Sequence, residues 1–193
     1  ETTFVDRRGS GLNRAQRGDA PTADALFDDL GDVVDDARRR CPGLSVHLVA
    51  ISWGAKLAAA ACIRKPALVD SLVLMNPGLA SRVDVSFSDK LRTALALATN
   101  PTRLFDVPLG NARLFTDNPE RVAFIEHDPL ALRRVTARFL YRTRRLDAFV
   151  RRHAEELQTP ALMLLAGRDR IVDNDRTQAL FSRVASRPKE AII

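Results

Sequence analysis

A serine placed between an apolar run and a helix-forming segment constrains the fold of this 193-residue chain more than any other feature. Residues 46–51, Val-His-Leu-Val-Ala-Ile, follow the turn pair Pro42 and Gly43 and predict a buried strand of a parallel sheet. Residues 55–64 predict a helix. Ser52 lies at the junction, where a sharp turn would hold its side chain above the edge of the sheet, beside the N–H groups that begin the helix.

The residues that flank Ser52 are small, as a sharp strand-to-helix turn requires. The strand and helix backbones are expected to pass close to each other here, and Ala50 and Gly54 are the residues that would permit it. The pattern Ala-x-Ser-x-Gly is a variant of the Gly-x-Ser-x-Gly nucleophile elbow. The alternative is that Ser52 is only a turn residue or a helix N-cap, positions that serine favours for its local hydrogen bonds.

Strand and helix signals alternate along much of the chain. Residues 22–40 predict an amphipathic helix with aspartate early and three arginines late, a polarity that suits the helix dipole. Further strands are predicted at residues 2–5, 71–76, 161–166 and from 189 onward. This alternation predicts an α/β fold, a mostly parallel sheet with helices on both faces, whose ligands bind at the carboxyl ends of the strands.

Residues 79–158 interrupt the alternation. They contain no strand-like pattern and predict helices at 89–99, 119–126 and 129–156, the last with its apolar side chains on one face. A helical insertion after a strand end would overhang the site, which predicts a cap or lid. The predicted domains are an α/β core, residues 1–78 and 159–193, and a helical cap, residues 79–158.

Composition restricts the class of protein and its partners. Hydrophobic residues make up 46% and charged residues 28%, a balance typical of soluble proteins, and no apolar run is long enough to cross a membrane. The net charge of +6 makes an acidic partner a candidate, but the arginines are scattered without interleaved aromatic residues. A solvated helix face is therefore favoured over a nucleic-acid site. Cys41 and Cys62 are too few for a metal motif or a disulfide framework, so a reducing, cytoplasmic location is the default expectation.

Three motifs in order resemble the α/β-hydrolase superfamily. They are the loop at residues 6–11, Asp-Arg-Arg-Gly-Ser-Gly, the turn at Ser52, and the strand and loop at residues 164–169. The closest resemblance is to the branch of monoacylglycerol lipases and lysophospholipases, in which an Asp-x-Arg-Gly-x-Gly loop, a helical cap and the acid of the triad follow the fourth, sixth and seventh strands. The resemblance implies that Ser52 is the nucleophile, that Trp53 donates its backbone N–H to the oxyanion, and that Asp169 orients the base.

The chemistry of acyl transfer agrees with these roles, because a serine is activated by a histidine whose tautomer a carboxylate holds. Asp173 is the competing acid, and Asp169 is preferred because it comes just after the strand and matches the family's position. The alternative for Asp169 is a turn aspartate bonded to its own backbone. The resemblance implies a serine hydrolase that cleaves carboxylic esters of the lysophospholipid or monoacylglycerol type, with no cofactor and no metal.

The histidine of this triad is not found where the family has it. The order serine, acid, histidine places it after the final strand, and no histidine follows Asp169. His47 is expected to point into the packing of the sheet, and His127 and His153 fall in the predicted cap. The second oxyanion donor would come from a loop that precedes Glu1. The chain is therefore expected to be an internal portion of a longer hydrolase.

Two other functions stay open. A protein that shares the fold without catalysis would serve as a binding or scaffold module, and Ser52 would then not react with a fluorophosphonate probe. A binder of anionic surfaces would use the arginine-rich helices, and its binding would fall steeply as salt is added.

Overall fold

The computed structural model describes all residues, 1–193. The helices are α1 Ala23–Arg40, α2 Trp53–Arg64, α3 Phe87–Thr99, α4 Pro119–His127, α5 Ala137–Arg152 and α6 Asn174–Ser182. The strands are β1 His47–Ile51, β2 Ser71–Met75, β3 Leu104–Asp106, β4 Arg134–Thr136, β5 Ala161–Leu164 and β6 Lys189–Ile192. None of the helices combines the length and the apolar composition that a membrane crossing requires.

Four strands form the main sheet, in the order β1-β2-β5-β6, and every neighbouring pair is parallel. The register aligns Ile51 with Met75, Met75 with Leu164, and Leu164 with Ile192. The carboxyl ends of all four strands therefore lie level along one edge of the sheet. The predicted α/β class is confirmed, including the strands predicted near residues 71, 161 and 189.

Strand β1 lies at an edge of this sheet and is not the buried strand that its apolar run predicts. Of its side chains only Ala50 is buried, whereas Val49 is 57% and Ile51 56% exposed. The prediction that His47 points into the packing is also wrong, because its side chain is exposed and its Nδ1 lies 2.8 Å from Ser71 Oγ. An edge strand has a neighbour on one side only, so apolar composition alone does not guarantee its burial.

The helix after β1 is the best-buried element of the fold. Residues 55–63 of α2 are all buried, and most of them are alanines. The helix packs on β1 and β2, where the side chains of Leu72 and Leu74 are fully buried. Small side chains let a helix approach a sheet closely, so the start of α2, and with it Ser52, is held firmly against the sheet.

The chain divides into two compact units. The first contains residues 1–26 and 83–144, and the second contains residues 27–82 and 145–193. The second unit holds the whole parallel sheet together with Ser52 and Asp169, while the first holds the antiparallel pair of β3 and β4. That residues 79–158 act as a cap stays a prediction.

Two predictions about strands are corrected. Residues 79–158 are not free of strands, since β3 and β4 lie within them, and the last predicted helix begins only at Ala137. Three residues are too few for a period of two to be visible in a sequence. Conversely, residues 2–5 belong to neither sheet. A strand requires a backbone ladder with a neighbour, which β-branched composition does not supply by itself.

Candidate active site

Ser52 joins β1 to α2 with a backbone conformation that L-residues rarely adopt, φ 51° and ψ −112°. Its N–H donates to the carbonyl oxygen of Met75 at 2.9 Å, and its own carbonyl oxygen accepts from the N–H of Gly78 at 3.0 Å. Its hydroxyl makes no capping hydrogen bond to α2. Ser52 therefore occupies the N-cap position of α2 without the side-chain bond that usually accompanies it, and the residue is half-buried.

The close approach at this turn occurs at a different glycine from the one predicted. A Cβ added to Gly54 would meet no atom within 4 Å, so its lack of a side chain is not required by space. A Cβ added to Gly78 would lie 3.4 Å from the carbonyl oxygen of Ser52 and 3.5 Å from its carbonyl carbon. The backbone that passes close to Ser52 is thus the turn after β2, which the local sequence around Ser52 could not reveal.

Trp53 is the first residue of α2, and its side chain is half-buried. The first N–H groups of a helix point away from the helix body and carry the positive end of its dipole. An N–H in this position is suited to stabilise negative charge that develops on a substrate oxygen near Ser52.

Asp169 lies in the loop after β5, and its two carboxylate oxygens differ in their environment. Oδ1 accepts hydrogen bonds from the N–H groups of Ile171 and Val172, both at 2.7 Å. Oδ2 accepts none. The turn interpretation therefore describes one oxygen correctly, while the other stays available to orient a base.

The competing acid, Asp173, has a structural role at the start of α6. It is the N-cap of that helix, and its Oδ1 accepts from the N–H of Arg176 at 3.1 Å. Capping bonds of this kind stabilise a helix by about 1 kcal/mol. Asp173 and Asp169 thus each bind backbone N–H groups through one carboxylate oxygen, and Asp169 stays the preferred acid because it lies closer to the end of β5.

Ser52 and Asp169 follow strands that end at the same edge of the sheet. Ser52 follows β1, Asp169 follows β5, and β2 lies between the two strands. With neighbouring strands about 4.8 Å apart, the two exit points are separated by about 10 Å. A single side chain that accepts a proton from one residue and donates one to the other could bridge such a distance.

None of the three histidines hydrogen-bonds to Ser52 or Asp169. His47 begins β1, at the opposite end of that strand from Ser52. His127 Nδ1 lies 2.8 Å from the carbonyl oxygen of Ala123. His153 Nδ1 lies 2.7 Å from Glu156 Oε1, and its ring is tilted against that of Phe149.

A buried ion pair lies four residues after Ser52. The Nζ of Lys56 is 2.6 Å from Oδ1 of Asp147, and the two side chains are only 7% and 13% exposed. The sequence gives no signal for this pair, because its members belong to α2 and to the C-terminal half of α5, 91 positions apart. The structure contains no group of three or more His, Cys, Asp or Glu side chains that could hold a metal ion.

Residues 1–193 match the model of one protein family, serine aminopeptidase S33, also called Hydrolase_4. The chain belongs to this hydrolase family. The resemblance to the α/β-hydrolase superfamily is thereby confirmed.

Solved structures similar to this S33-family chain are α/β-hydrolases. A monoacylglycerol lipase from Paleococcus ferrophilus matches with a TM-score of 0.83 and 20% identity, over 97% of this chain and 70% of that protein. A soluble variant of monoglyceride lipase from Saccharomyces cerevisiae matches with a TM-score of 0.80 and 16% identity, over 97% of this chain and 65% of that protein.

A thermostable carboxyl esterase from Bacillus coagulans matches with a TM-score of 0.69 and 14% identity, over 97% of this chain and 70% of the esterase. At these identities the likeness establishes the fold, which is the α/β-hydrolase fold. This chain of the S33 family spans about two thirds of the length of these proteins. A search of curated proteins gave no significant match.

Proposed function

We propose that this protein is a serine hydrolase that cleaves carboxylic esters through an acyl-enzyme formed on Ser52. The observation that carries the proposal is the geometry of Ser52, which is held at φ 51° at the carboxyl edge of the sheet with a hydroxyl that caps nothing. Strain of this kind costs about 1–3 kcal/mol and is retained mainly at functional sites. The similarity to two monoacylglycerol lipases and an esterase supports the ester as substrate.

In the proposed reaction the Oγ of Ser52 attacks the carbonyl carbon of the ester, and a histidine takes the proton from Oγ. The N–H of Trp53 stabilises the negative charge on the carbonyl oxygen. The tetrahedral intermediate then expels the oxygen of the leaving group, which takes the proton from the histidine and departs as the alcohol. Water then attacks the carbonyl carbon of the acyl-serine while the histidine takes its proton. The intermediate expels Ser52 Oγ, which takes that proton from the histidine, and the carboxylic acid leaves. Asp169 orients the histidine through its open oxygen, Oδ2.

We propose that the histidine is supplied by residues outside the 193 described here. The order of the triad in this fold places it after Asp169, where the chain has none. About a third of the length of the similar proteins lies outside their match with this chain, which leaves room for such a residue. Activity is therefore to be measured on the full-length protein.

A glycerolipid or lysophospholipid monoester is the substrate class that we favour. Besides the similarity to monoacylglycerol lipases, α3 exposes three large apolar side chains at helical spacing, Phe87 at 82% and Leu91 and Leu95 at 64% each. Exposed apolar patches of this kind commonly bind lipids or other apolar partners. The patch lies within residues 79–158, the proposed cap.

Hydrolysis of a monoacylglycerol by the full-length protein, compared with hydrolysis of an aminoacyl-p-nitroanilide, tests this function. The second substrate represents the aminopeptidase activity in the family's description. We expect ester cleavage that Ser52→Ala lowers by roughly 10⁴–10⁶-fold and Asp169→Asn by about 10⁴-fold. Ester cleavage that persists in Ser52→Ala would refute the proposed mechanism, and cleavage of the anilide alone would refute the substrate class.

A further inference from the structure

The turn that follows β2 contacts both proposed catalytic segments. It consists of Asn76, Pro77 and Gly78, directly after Met75. On one side it holds Ser52, whose N–H donates to the Met75 carbonyl oxygen at 2.9 Å and whose carbonyl oxygen accepts from the Gly78 N–H at 3.0 Å. The backbone of the nucleophile is therefore fixed by β2 as well as by its own strand.

On its other side the turn holds the loop that carries Asp169. Oδ1 of Asn76 accepts a hydrogen bond from the N–H of Ala166 at 2.7 Å. The carbonyl oxygen of the same Ala166 accepts from the N–H of Asp169 at 3.2 Å and from Nδ2 of Asn174 at 2.9 Å. The N–H and the carbonyl oxygen of Ala166 are thus both hydrogen-bonded to side-chain amides. Ala166 lies three residues before Asp169, the proposed acid.

The backbone of Asn76 is itself unusual. Its φ is 42°, in the left-handed region, where asparagine occurs more readily than most residues. Its own N–H donates to the carbonyl oxygen of Leu164, the last residue of β5, at 2.8 Å. The chain therefore turns sharply at Asn76, which brings its side chain to the loop after β5 rather than along β2.

We propose that Asn76 is a positioning residue, which sets the placement of Asp169 relative to Ser52 through its hydrogen bond to Ala166. This rests on the proposed function, in which Ser52 is the nucleophile and Asp169 the acid. The hydrogen bonds form an unbroken path from Ser52, through the turn after β2, to Asp169. They leave Ser52 Oγ and Asp169 Oδ2, the two atoms that the histidine must reach, without a partner.

Two substitutions separate the hydrogen bond of Asn76 from its backbone conformation. Asn76→Gly removes the oxygen that accepts the hydrogen bond, and glycine adopts a positive φ without strain. Asn76→Asp keeps an acceptor oxygen in the same place. In the full-length protein we expect Asn76→Gly to lower kcat by about 10²-fold with KM within about twofold, because a small displacement of a catalytic group is that costly. Asn76→Asp should stay within about threefold of the wild type. The matched control is Asn100→Gly, at an exposed asparagine that ends α3, and it should leave kcat and KM unchanged.

A pH profile distinguishes positioning from a general loss of structure. A well-placed carboxylate stabilises the imidazolium and raises the pKa of the histidine. In Asn76→Gly the acidic limb of kcat/KM should therefore shift to lower pH, while in Asn76→Asp it should not shift in that direction. If Asn76→Gly had the same kcat as the wild type and the same acidic limb in its pH profile of kcat/KM, the proposal would be overturned.

Amide hydrogen exchange tests the same bond without activity. We expect the Ala166 amide to exchange more slowly in the wild type and in Asn76→Asp than in Asn76→Gly, and equal rates would contradict the role of Asn76. If Ser52→Ala retained full activity, the proposed function would fail. The exchange rate of the Ala166 amide would still test the hydrogen bond from Ala166 to Asn76. If Ser52→Ala were inactive but Asn76→Gly fully active, only the positioning role would fail.

Discussion

At the scale of single residues, Ser52 carries a conformational cost that its neighbours impose. The turn is fixed by hydrogen bonds to Met75 and Gly78, and the resulting φ of 51° brings a side chain close to its own backbone. A glycine would adopt this conformation without strain. The presence of serine at this position therefore lowers the stability of the protein, and its hydroxyl makes no capping hydrogen bond that would offset this cost.

Replacing Ser52 by glycine should stabilise the protein relative to replacing it by alanine. Both variants lack the hydroxyl, but only alanine retains the Cβ that is strained at this φ. We expect Ser52→Gly to have a free energy of unfolding about 1–3 kcal/mol higher than that of Ser52→Ala, measured by urea denaturation. Equal stabilities of the two variants would show that the turn is not strained.

Single residues were predictable from the sequence where the signal was local. Ser52 comes directly after an apolar run and Asp169 comes three residues after the end of another, so their places near strand ends could be predicted from the neighbouring sequence. Asn76 and Gly78 could not be recognised in this way, because their partners, Ala166 and Ser52, become neighbours only through the order of the strands. The roles of Ser52, Trp53 and Asp169 remain proposals.

At the scale of elements, the ion pair of Lys56 and Asp147 joins α2 to the C-terminal half of α5 within one unit. Both side chains are almost fully buried, so the attraction between the two charges offsets part of the cost of removing them from water. We expect Asp147→Leu alone, or Lys56→Met alone, to lower the free energy of unfolding by about 3–5 kcal/mol. The double variant should recover most of this loss in urea denaturation. A double variant no more stable than either single variant would contradict this interpretation.

A second buried network organises the other unit. Asp19 is 5% exposed and accepts hydrogen bonds from Thr136 Oγ1 at 2.6 Å and from Arg138 Nε at 2.8 and 3.0 Å. The neighbouring Gly18 has a φ of 77°, and its carbonyl oxygen accepts from the N–H of Thr136. The loop before α1 is thus bound to the end of β4 and the start of α5.

This network should make stability depend on pH in the acidic range. The hydrogen bond from Arg138, with help from Thr136, holds the pKa of Asp19 below its usual range despite burial. Because the folded pKa is lowered, the stabilisation is fully present above the unfolded value, about 3.9, and is lost as the pH falls through the folded pKa.

Asp19→Asn tests this dependence. We expect it to lower the free energy of unfolding at pH 7 by about 3 kcal/mol, near the lower end for a broken buried pair. The difference from the wild type should shrink as the pH is lowered from 5 toward 2, measured by urea denaturation at each pH. A difference that stays constant over this range would contradict the assigned role of Asp19.

Elements were predictable where they were long and periodic. Residues 22–40 and 119–126 predict helices within a residue or two of α1 and α4, because capping residues and apolar spacing mark their ends. The pair of β3 and β4 was missed because each strand has three residues. The exposure of β1 was missed because an apolar run does not reveal whether a strand is central or at an edge.

At the scale of the whole molecule, the proposed active site lies at the carboxyl edge of the parallel sheet. Alternating strand and helix signals predicted this sheet, and the registers of β1, β2 and β5 set their ends level. Ser52 and Asp169 follow the strands on either side of β2 at that edge, which is where ligands bind in sheets of this kind. The proposed mechanism requires that the Ser52 hydroxyl react as a nucleophile once the base is present.

The most direct test is to treat the folded full-length protein with a fluorophosphonate probe and to locate the modified residue by mass spectrometry. We predict one adduct, on Ser52, that is absent from Ser52→Ala and greatly slowed in Asp169→Asn. A folded wild-type protein that forms no adduct, or that forms it on another serine with equal speed in Ser52→Ala, would contradict the proposed role of Ser52.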